Sequence, residues 1–366
     1  MTVLTMGVEE EFLLVDRDSR RPVGRAPAVI AAAARELGER VQTEFFTAQV
    51  EGCTEPVDGT AALRGQLARL RRTLSAAAAA AGCLLVATGT PVVPPSRPLT
   101  VTDTDRYRRM ARRFAALVSP YDGLVCGCHV HIGSFDRAGA LALAGHMRPW
   151  LPAVQSLTGN SPFALGRDTG FDSWRFKEFG RWPTVGPAPL LGEAQHEAYV
   201  SELVEHRILM DRAMVYWYAR PSEHVPTLEI RVADTNADLD TVVLVAALVR
   251  GLAASLLEEA AAGRPPPQVP EQRLRRAHEL AAAQGLAGCG LDPLSGDRLP
   301  ADALVERLRA RAAPGLEAAG DRELVDELLR RLRREGSGAA RQRAVLRRHG
   351  RLTDVVDALA ATTAAA

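Results

Sequence analysis

Lysine is almost missing from this chain of 366 residues: Lys177 stands alone among 45 basic side chains, the rest being arginine. A phosphate-cradling loop of the G-x-x-x-x-G-K-[ST] type requires a lysine after its glycines, so ATP, if bound, is not held that way. Lys177 itself lies in WRFKEFGRW, a context unlike the lysines of protein kinases or Schiff-base enzymes. A G-x-G-x-x-G stretch is lacking too. Excess charge is also absent, since 45 basic residues face 44 acidic ones for a net +1. No global electropositive footprint is present, which argues against nucleic acid as a partner.

Cysteine is sparse and odd in number: Cys53, Cys83, Cys126, Cys128 and Cys289. Their scatter speaks against a secreted disulfide framework and for a reducing compartment. The opening MTVLTMGVEEEF has no basic region followed by an apolar stretch, so no signal peptide is expected and the cytoplasm is the expected location. The apolar runs at 75–89 and 241–249 are too alanine-rich or too short for a bilayer span of about 20 apolar residues, and Arg250 closes the second. Both read as buried core, with no membrane partner. With 47% hydrophobic side chains the chain can bury one large core or two modest ones.

The patterning predicts strands over 2–15, 44–55, 83–89, the stretch around CGCHVHIG, 213–219 and 227–235. Helices are expected over 28–38, from about 60 with Leu63, Leu67, Leu70 and Leu74 as an apolar stripe, and over 105–118, 137–157, 193–209 and 239–262. Several strands follow one another with no room for a crossover helix, which favours an antiparallel sheet. Residues 158–192 show no sustained period, and an irregular loop of that length is usually functional. GRPPPQVP, at 263–270, reads as a linker, so residues 1–262 form the expected catalytic part and 271–366 a helical C-terminal part packed on it.

Three strands carry polar faces. In GVEEEF, alternation sends Val8, Glu10 and Phe12 one way and Glu9 and Glu11 the other, either as a solvated edge or as hard oxygen ligands for Mg2+ or Mn2+. EFFTAQVEGCTEP adds Glu44 and Glu51 near its ends, with Glu55 on the face of Glu51. In TLEIRVAD, Leu228, Ile230 and Val232 alternate with Glu229 and Arg231, which form either a surface ion pair or a metal ligand beside an anion-gripping guanidinium.

CGCHVHIG sets two cysteines and two histidines close together and suggests zinc. On a strand, however, His129 and His131 face one side while Cys126, Cys128, Val130 and Ile132 face the other. A tetrahedral ion cannot draw ligands from both faces. The cysteines are expected in the core and the histidines on the face shared with the acids. Together the strands imply a sheet with one face in a core and the other lining a carboxylate-rich cavity for a divalent metal and a polyphosphate.

GVEEEFLLVD (7–16), QVEGCTEP (49–56), CGCHVHIG (126–133), NSPFALGRDTGFDSWR (160–175) and RPSEHVPTLEIRVAD (220–234) resemble, in order, the motifs of the carboxylate-amine ligases of the glutamate-cysteine ligase type 2 family. The resemblance, over about 5–262, implies an α+β, glutamine synthetase-like fold: an antiparallel sheet curled into a funnel with helices outside. It implies ATP, Mg2+ (Mn2+ as a substitute) and formation of a γ-glutamyl amide between glutamate and an amine, foremost L-cysteine, through an acyl phosphate. By position, Glu9, Glu11, Glu44, Glu51 and Glu229 look like metal ligands. His129, His131 and Arg231 look like the groups about the nucleotide phosphates, with His129 and Arg231 also catalytic. Arg167 and Arg175 resemble holders of the amino-acid carboxylates, or else are solvated loop arginines.

One departure is visible. Where the family has Asn-Arg-Trp-Arg and a further arginine, this chain has EQRLRRAH, with Gln272, Leu274 and His278 at the changed positions. If that segment shapes the site, the amine differs from cysteine. A guanidine-kinase-like phosphotransferase and a non-catalytic nucleotide-binding relative are the competing expectations. Small molecules are the expected partners, and a homo-oligomer is compatible with all of these readings.

Overall fold

The computed structural model describes residues 3–117 and 123–365. The chain runs β1 (Thr5–Asp16), α1 (Ala26–Leu37), β2 (Val41–Thr43), β3 (Gln49–Cys53), α2 (Thr60–Ala80), β4 (Cys83–Val86), α3 (Asp105–Arg113), β5 (Gly127–Gly133), α4 (Arg137–Met147) and α5 (Leu151–Thr158). It continues through β6 (Phe163–Ala164), β7 (Arg167–Asp168), α6 (Arg175–Phe179), α7 (Glu193–Glu205), β8 (Ala219–Pro221), β9 (Thr227–Asp234) and α8 (Leu239–Ala261). The last part is α9 (Glu271–Gln284), a hairpin of β10 (Cys289–Leu291) and β11 (Arg298–Pro300), then α10 (Ala301–Ala319), α11 (Arg322–Glu335), α12 (Gly338–His349) and α13 (Leu352–Ala364).

Seven strands make one antiparallel sheet in the order β2-β3-β1-β5-β9-β8, with β4 on the far half of β1. β1 is the hub. It pairs with β3 along one edge and with β5, then β4, along the other. Alternation sets the two faces as expected: Met6, Val8, Cys128, Val130, Ile132, Leu228, Ile230 and Val232 are buried in one core with α4, α5, α8 and α10. Cys126 joins a second core, where Phe12, Leu14 and Val50 meet α1, α2 and α13. α8 is apolar nearly all round because neighbours surround it; it is long and apolar enough to cross a membrane, yet 94% of its most apolar stretch is buried inside this fold.

The structure amends several expected elements. Of the expected 44–55 strand only Gln49–Cys53 is β3; it pairs with β2, which precedes it, and Glu44 sits in the connection between the two rather than in a strand. The 137–157 helix breaks between Met147 and Leu151, where Pro149 lacks the N–H that a continuous helix would need. Over 213–219 only Ala219 is in a strand, after a short 3-10 turn at Arg212–Met214. The expected ends at Thr2 and Val118 lie outside the described residues. Segment 158–192 is built into the body: Asp234 accepts hydrogen bonds from Asn160 N (3.0 Å), Ser161 Oγ (2.6 Å) and Ser173 Oγ (2.7 Å).

Glu10, which alternation sends to the apolar face, has a partner that the arginine-rich look of α2 concealed. Arg71 is buried, donates from Nε and Nη2 to Glu10 at 3.0 and 2.6 Å, and also reaches the carbonyls of Asn236 and Ala237. A buried charge is costly unless it is paired and hydrogen-bonded, and this one is both.

Candidate active site

Register assembles the polar face. Across β1 and β5, Glu9 stands opposite His129 and Gly7 opposite His131; across β1 and β3, Glu11 stands opposite Glu51. His131 in turn faces Glu229 on β9. Between Cys128 and Val130 the pairing of β5 with β9 slips by one residue, so that Arg231 and Val232 share the place opposite His129. Such a bulge re-aims a side chain, here the Arg231 guanidinium, whose Nη1 lies 3.4 Å from His129 Nδ1.

The result is a cavity of about 1040 Å³ lined by Glu9, Glu11, Glu44, Glu51, His129, His131, Glu229 and Arg231. All these acids and histidines are brought together, from four strands and one hairpin connection. Arg175 joins them, buried, carried in by α6. Arg167 does not: it is exposed on β7 and lines no part of the cavity. No residue of 271–278 reaches the cavity either. His278 is buried elsewhere, its Nδ1 2.6 Å from Gln155 Oε1, and burial pushes its imidazole down to about 3, with Arg275 adding to the shift.

Three groups of side chains bring potential ligand atoms within 4.8 Å of one another: Glu9, Glu51 and His129; Glu9, His131 and Glu229; and Glu11, Glu44 and Glu51. Hard carboxylate oxygens with one imidazole nitrogen suit Mg2+ or Mn2+. The electrostatics suit a bound cation. Burial, then repulsion from Glu11, pushes the Glu44 carboxyl up to about 8; burial and Glu44 raise Glu51 well above its usual range. His129 Nε2 is buried without a hydrogen-bond partner, 3.9 Å from Glu11 Oε1. Elsewhere the charges are settled internally. Burial alone would raise Glu9, but hydrogen bonds from His129 and His131 outweigh it and hold the carboxyl below its usual range. Glu229 is likewise held down, against burial, by Arg231 and by Arg220, whose Nε donates to Oε2 at 2.7 Å.

Arg175 is the unsettled cation. Its terminal nitrogens reach only the Arg231 carbonyl, at 3.4 and 3.5 Å, its Nε has no partner, and no carboxylate pairs with it among the described residues. Gly127 makes room for it: a Cβ there would stand 2.4 Å from Arg175 Nη2. A buried, unpaired guanidinium on a cavity wall is a site for a carboxylate or phosphate.

Comparison with known proteins gives the family and the fold. The model of glutamate-cysteine ligase family 2 (GCS2) matches residues 5–358. The chain belongs to that family. The match extends well past the expected limit near 262 and takes in most of the C-terminal helices. A protein provisionally named glutamate-cysteine ligase 2 from Salinispora tropica is 45% identical over 96% of this chain and 92% of its own length. One from Saccharopolyspora erythraea, named 2-1 on the same provisional footing, is 44% identical over 98% and 94%. Among solved structures, the glutamate-cysteine ligase of Francisella tularensis in complex with AMP shares the fold, with TM-score 0.68 at 14% identity over 99% of this chain and 89% of its own. A bifunctional glutathione synthetase from Pasteurella multocida gives TM-score 0.70 at 14% identity, covering 99% of this chain and 52% of that one. Family and fold are those of a ligase.

Sequence reasoning passed over some residues that line this cavity. Arg220, within RPSEHVPTLEIRVAD, pins Glu229 and also donates to the carbonyls of Ala213 and Val215. Its place in a recognised motif was the available signal. Phe45, Tyr107, Trp182 and Tyr216 cluster at one end of the cavity, with ring centroids 5.5 to 6.2 Å apart in the pairs Phe45–Tyr107, Phe45–Trp182 and Trp182–Tyr216. They come from four separate segments, so no local pattern announces them.

Proposed function

We propose that the protein is an ATP-dependent ligase joining the side-chain carboxylate of glutamate to an amine, with L-cysteine as the acceptor. The observation that carries this reading is the pairing, in one cavity, of three acid-rich ligand groups with a buried arginine that forms no ion pair among the described residues. Glu9, Glu11, Glu44, Glu51, Glu229 and a histidine would hold Mg2+ or Mn2+. Bound there, the metal would neutralise the triphosphate's charge, which otherwise repels an incoming carboxylate.

The protein's own groups do the rest. Arg231, held by Glu229, faces the cavity as a fixed positive fork and stabilises charge on the phosphoryl group during its transfer to the glutamate carboxylate. His129, next to it, contributes at the same phosphates. Arg175 grips a substrate carboxylate and so orients the amino acid. The acyl phosphate that results is attacked by the amine, which loses a proton to a nearby carboxylate and expels phosphate. Because no residue of 271–278 lines the cavity, the departure from the family pattern there gives no reason to move away from cysteine.

The test is turnover with ATP, Mg2+, glutamate and a panel of amines including cysteine, following phosphate and product mass. ADP, free phosphate and γ-glutamylcysteine are expected. A phosphorylated product without an amide would instead mark a kinase, and no phosphate release with any amine would overturn the ligase reading.

A further inference from the structure

Asp234 closes β9, three residues past Arg231, and is buried without lining the cavity. Its two oxygens are taken up by uncharged donors. Oδ1 accepts from Ser173 Oγ, and Oδ2 accepts from Ser161 Oγ and from Asn160 N. A buried carboxylate answered only by neutral donors is costly, and burial does push this one up. Among the groups opposing that rise, Arg175 acts most strongly.

The two hydroxyls lead on to the helix that carries Arg175. Each serine donates to Asp234 and so turns a lone pair toward the first turn of α6: Ser161 Oγ accepts from Arg175 N at 3.1 Å, and Ser173 Oγ from Phe176 N at 3.4 Å. Trp174 N, just ahead of the helix, donates to the Ser161 carbonyl at 2.9 Å. α6 has five residues, too few to hold a helix unaided when nucleation is so unfavourable, so its start is fixed from outside. The fit is close. A Cβ on Gly89 would stand 2.8 Å from Asp234 Cγ and 2.9 Å from Ser161 Cβ. Behind the serines, the N–H groups of Asp172 and Ser173 both donate to the Ala282 carbonyl at 2.9 Å, and Gln342 Nε2 donates to Asn160 Oδ1 at 2.8 Å.

We propose that Asp234 is a positioning residue for Arg175: through the hydroxyls of Ser161 and Ser173 it fixes α6, and with it the place where the guanidinium meets the substrate carboxylate. This rests on the ligase reading, in which Arg175 grips that carboxylate. Gly127, whose missing side chain admits the guanidinium, is the register partner of Asp234. The head of the arginine and the start of its helix are thus both referred to one point on the sheet. A direct ion pair would occupy the fork that the substrate needs. One hydroxyl removed, the carboxylate favours the buried cation through its field and leaves the fork to the substrate.

The test is steady-state phosphate release with ATP, Mg2+, glutamate and the best amine of the panel, in wild type, Arg175→Ala, Asp234→Asn and Ser161→Ala, the last two also in the Arg175→Ala background. Circular dichroism checks folding; should Asp234→Asn fail to fold, Ser161→Ala, which removes a single hydroxyl, decides. KM for glutamate should rise about tenfold in Asp234→Asn and about threefold in Ser161→Ala, with KM for ATP within about twofold of wild type. In the Arg175→Ala background neither change should lower kcat/KM for glutamate further, since a residue that acts through Arg175 has nothing left to position. If wild type releases no phosphate with any amine, the ligase reading falls and this inference with it. If Arg175→Ala keeps the wild-type KM for glutamate, that arginine does not grip substrate, and the inference falls too. If Arg175→Ala is impaired while Asp234→Asn and Ser161→Ala match wild type, this inference alone falls. It falls alone as well if the variants weaken glutamate and ATP alike, or add their losses to that of Arg175→Ala.

Discussion

Glu51 has burial and like-charged neighbours against its ionised form, and that makes its replacement informative. Glu51→Gln replaces a carboxyl that burial and Glu44 hold against ionisation, at little cost to the metal-free fold, while deleting a ligand from two of the three groups. We expect phosphate release to fall at least about 100-fold while the thermal midpoint of the metal-free protein stays level or rises by a few degrees, the trade expected of a residue kept for function. Wild-type turnover in this variant would place the chemistry on other groups. Glu44 adds a pH signature. Its carboxyl titrates from about 4.5 in an unperturbed chain to about 8 in the fold, so the folded state holds a proton that the unfolded state has lost. Metal-free stability must therefore fall as pH climbs through that window, and Glu51 acts in the same direction. Added Mg2+ should raise the thermal midpoint more at pH 8 than at pH 6, since it takes the place of that proton. A shift independent of pH would refute this account.

At the scale of elements, the contrast between what could and could not be read in the sequence has a physical cause. Alternation along β1, β5 and β9 is local, so it separated Glu9 from Glu10 and His129 from Cys128, and the structure keeps those assignments. Whatever depends on a distant partner stayed hidden: Arg71 against Glu10, Gly127 against Arg175, the one-residue slip opposite His129, and the exposure of Arg167. The family resemblance supplied roles that no spacing could, and it treated Arg167 and Arg175 as a pair although only Arg175 reaches the cavity. The Arg71–Glu10 pair behind the site yields a stability forecast. Arg71→Leu strands a buried carboxylate in the core and should cost about 3–5 kcal/mol in denaturant unfolding, whereas Glu10→Leu combined with Arg71→Leu should recover much of it. Equal losses in the single and double variants would show that packing, not charge, is at stake.

At the scale of the whole molecule, the helices after 270 are structural partners of the sheet. Gly315 packs on Gly251 so closely that a Cβ would stand 2.1 Å from the Gly251 carbonyl oxygen, and Leu304, Val305, Leu308 and Leu316 share a core with α8. A chain ending at 270 would expose that face of α8, and we expect it to aggregate on expression; a soluble, folded fragment with cooperative unfolding would show the helices to be dispensable. A kinetic consequence follows from the position of β1. It has neighbours on both edges and a buried ion pair behind it, so it belongs to the part of the molecule that opens last. A cation entering the cavity thus meets Glu9 and Glu11 on a backbone already in place. The speed of its capture is set by how fast the ion sheds its own water, and exchanging Mg2+ for a more labile divalent ion should accelerate loading with no change in the protein.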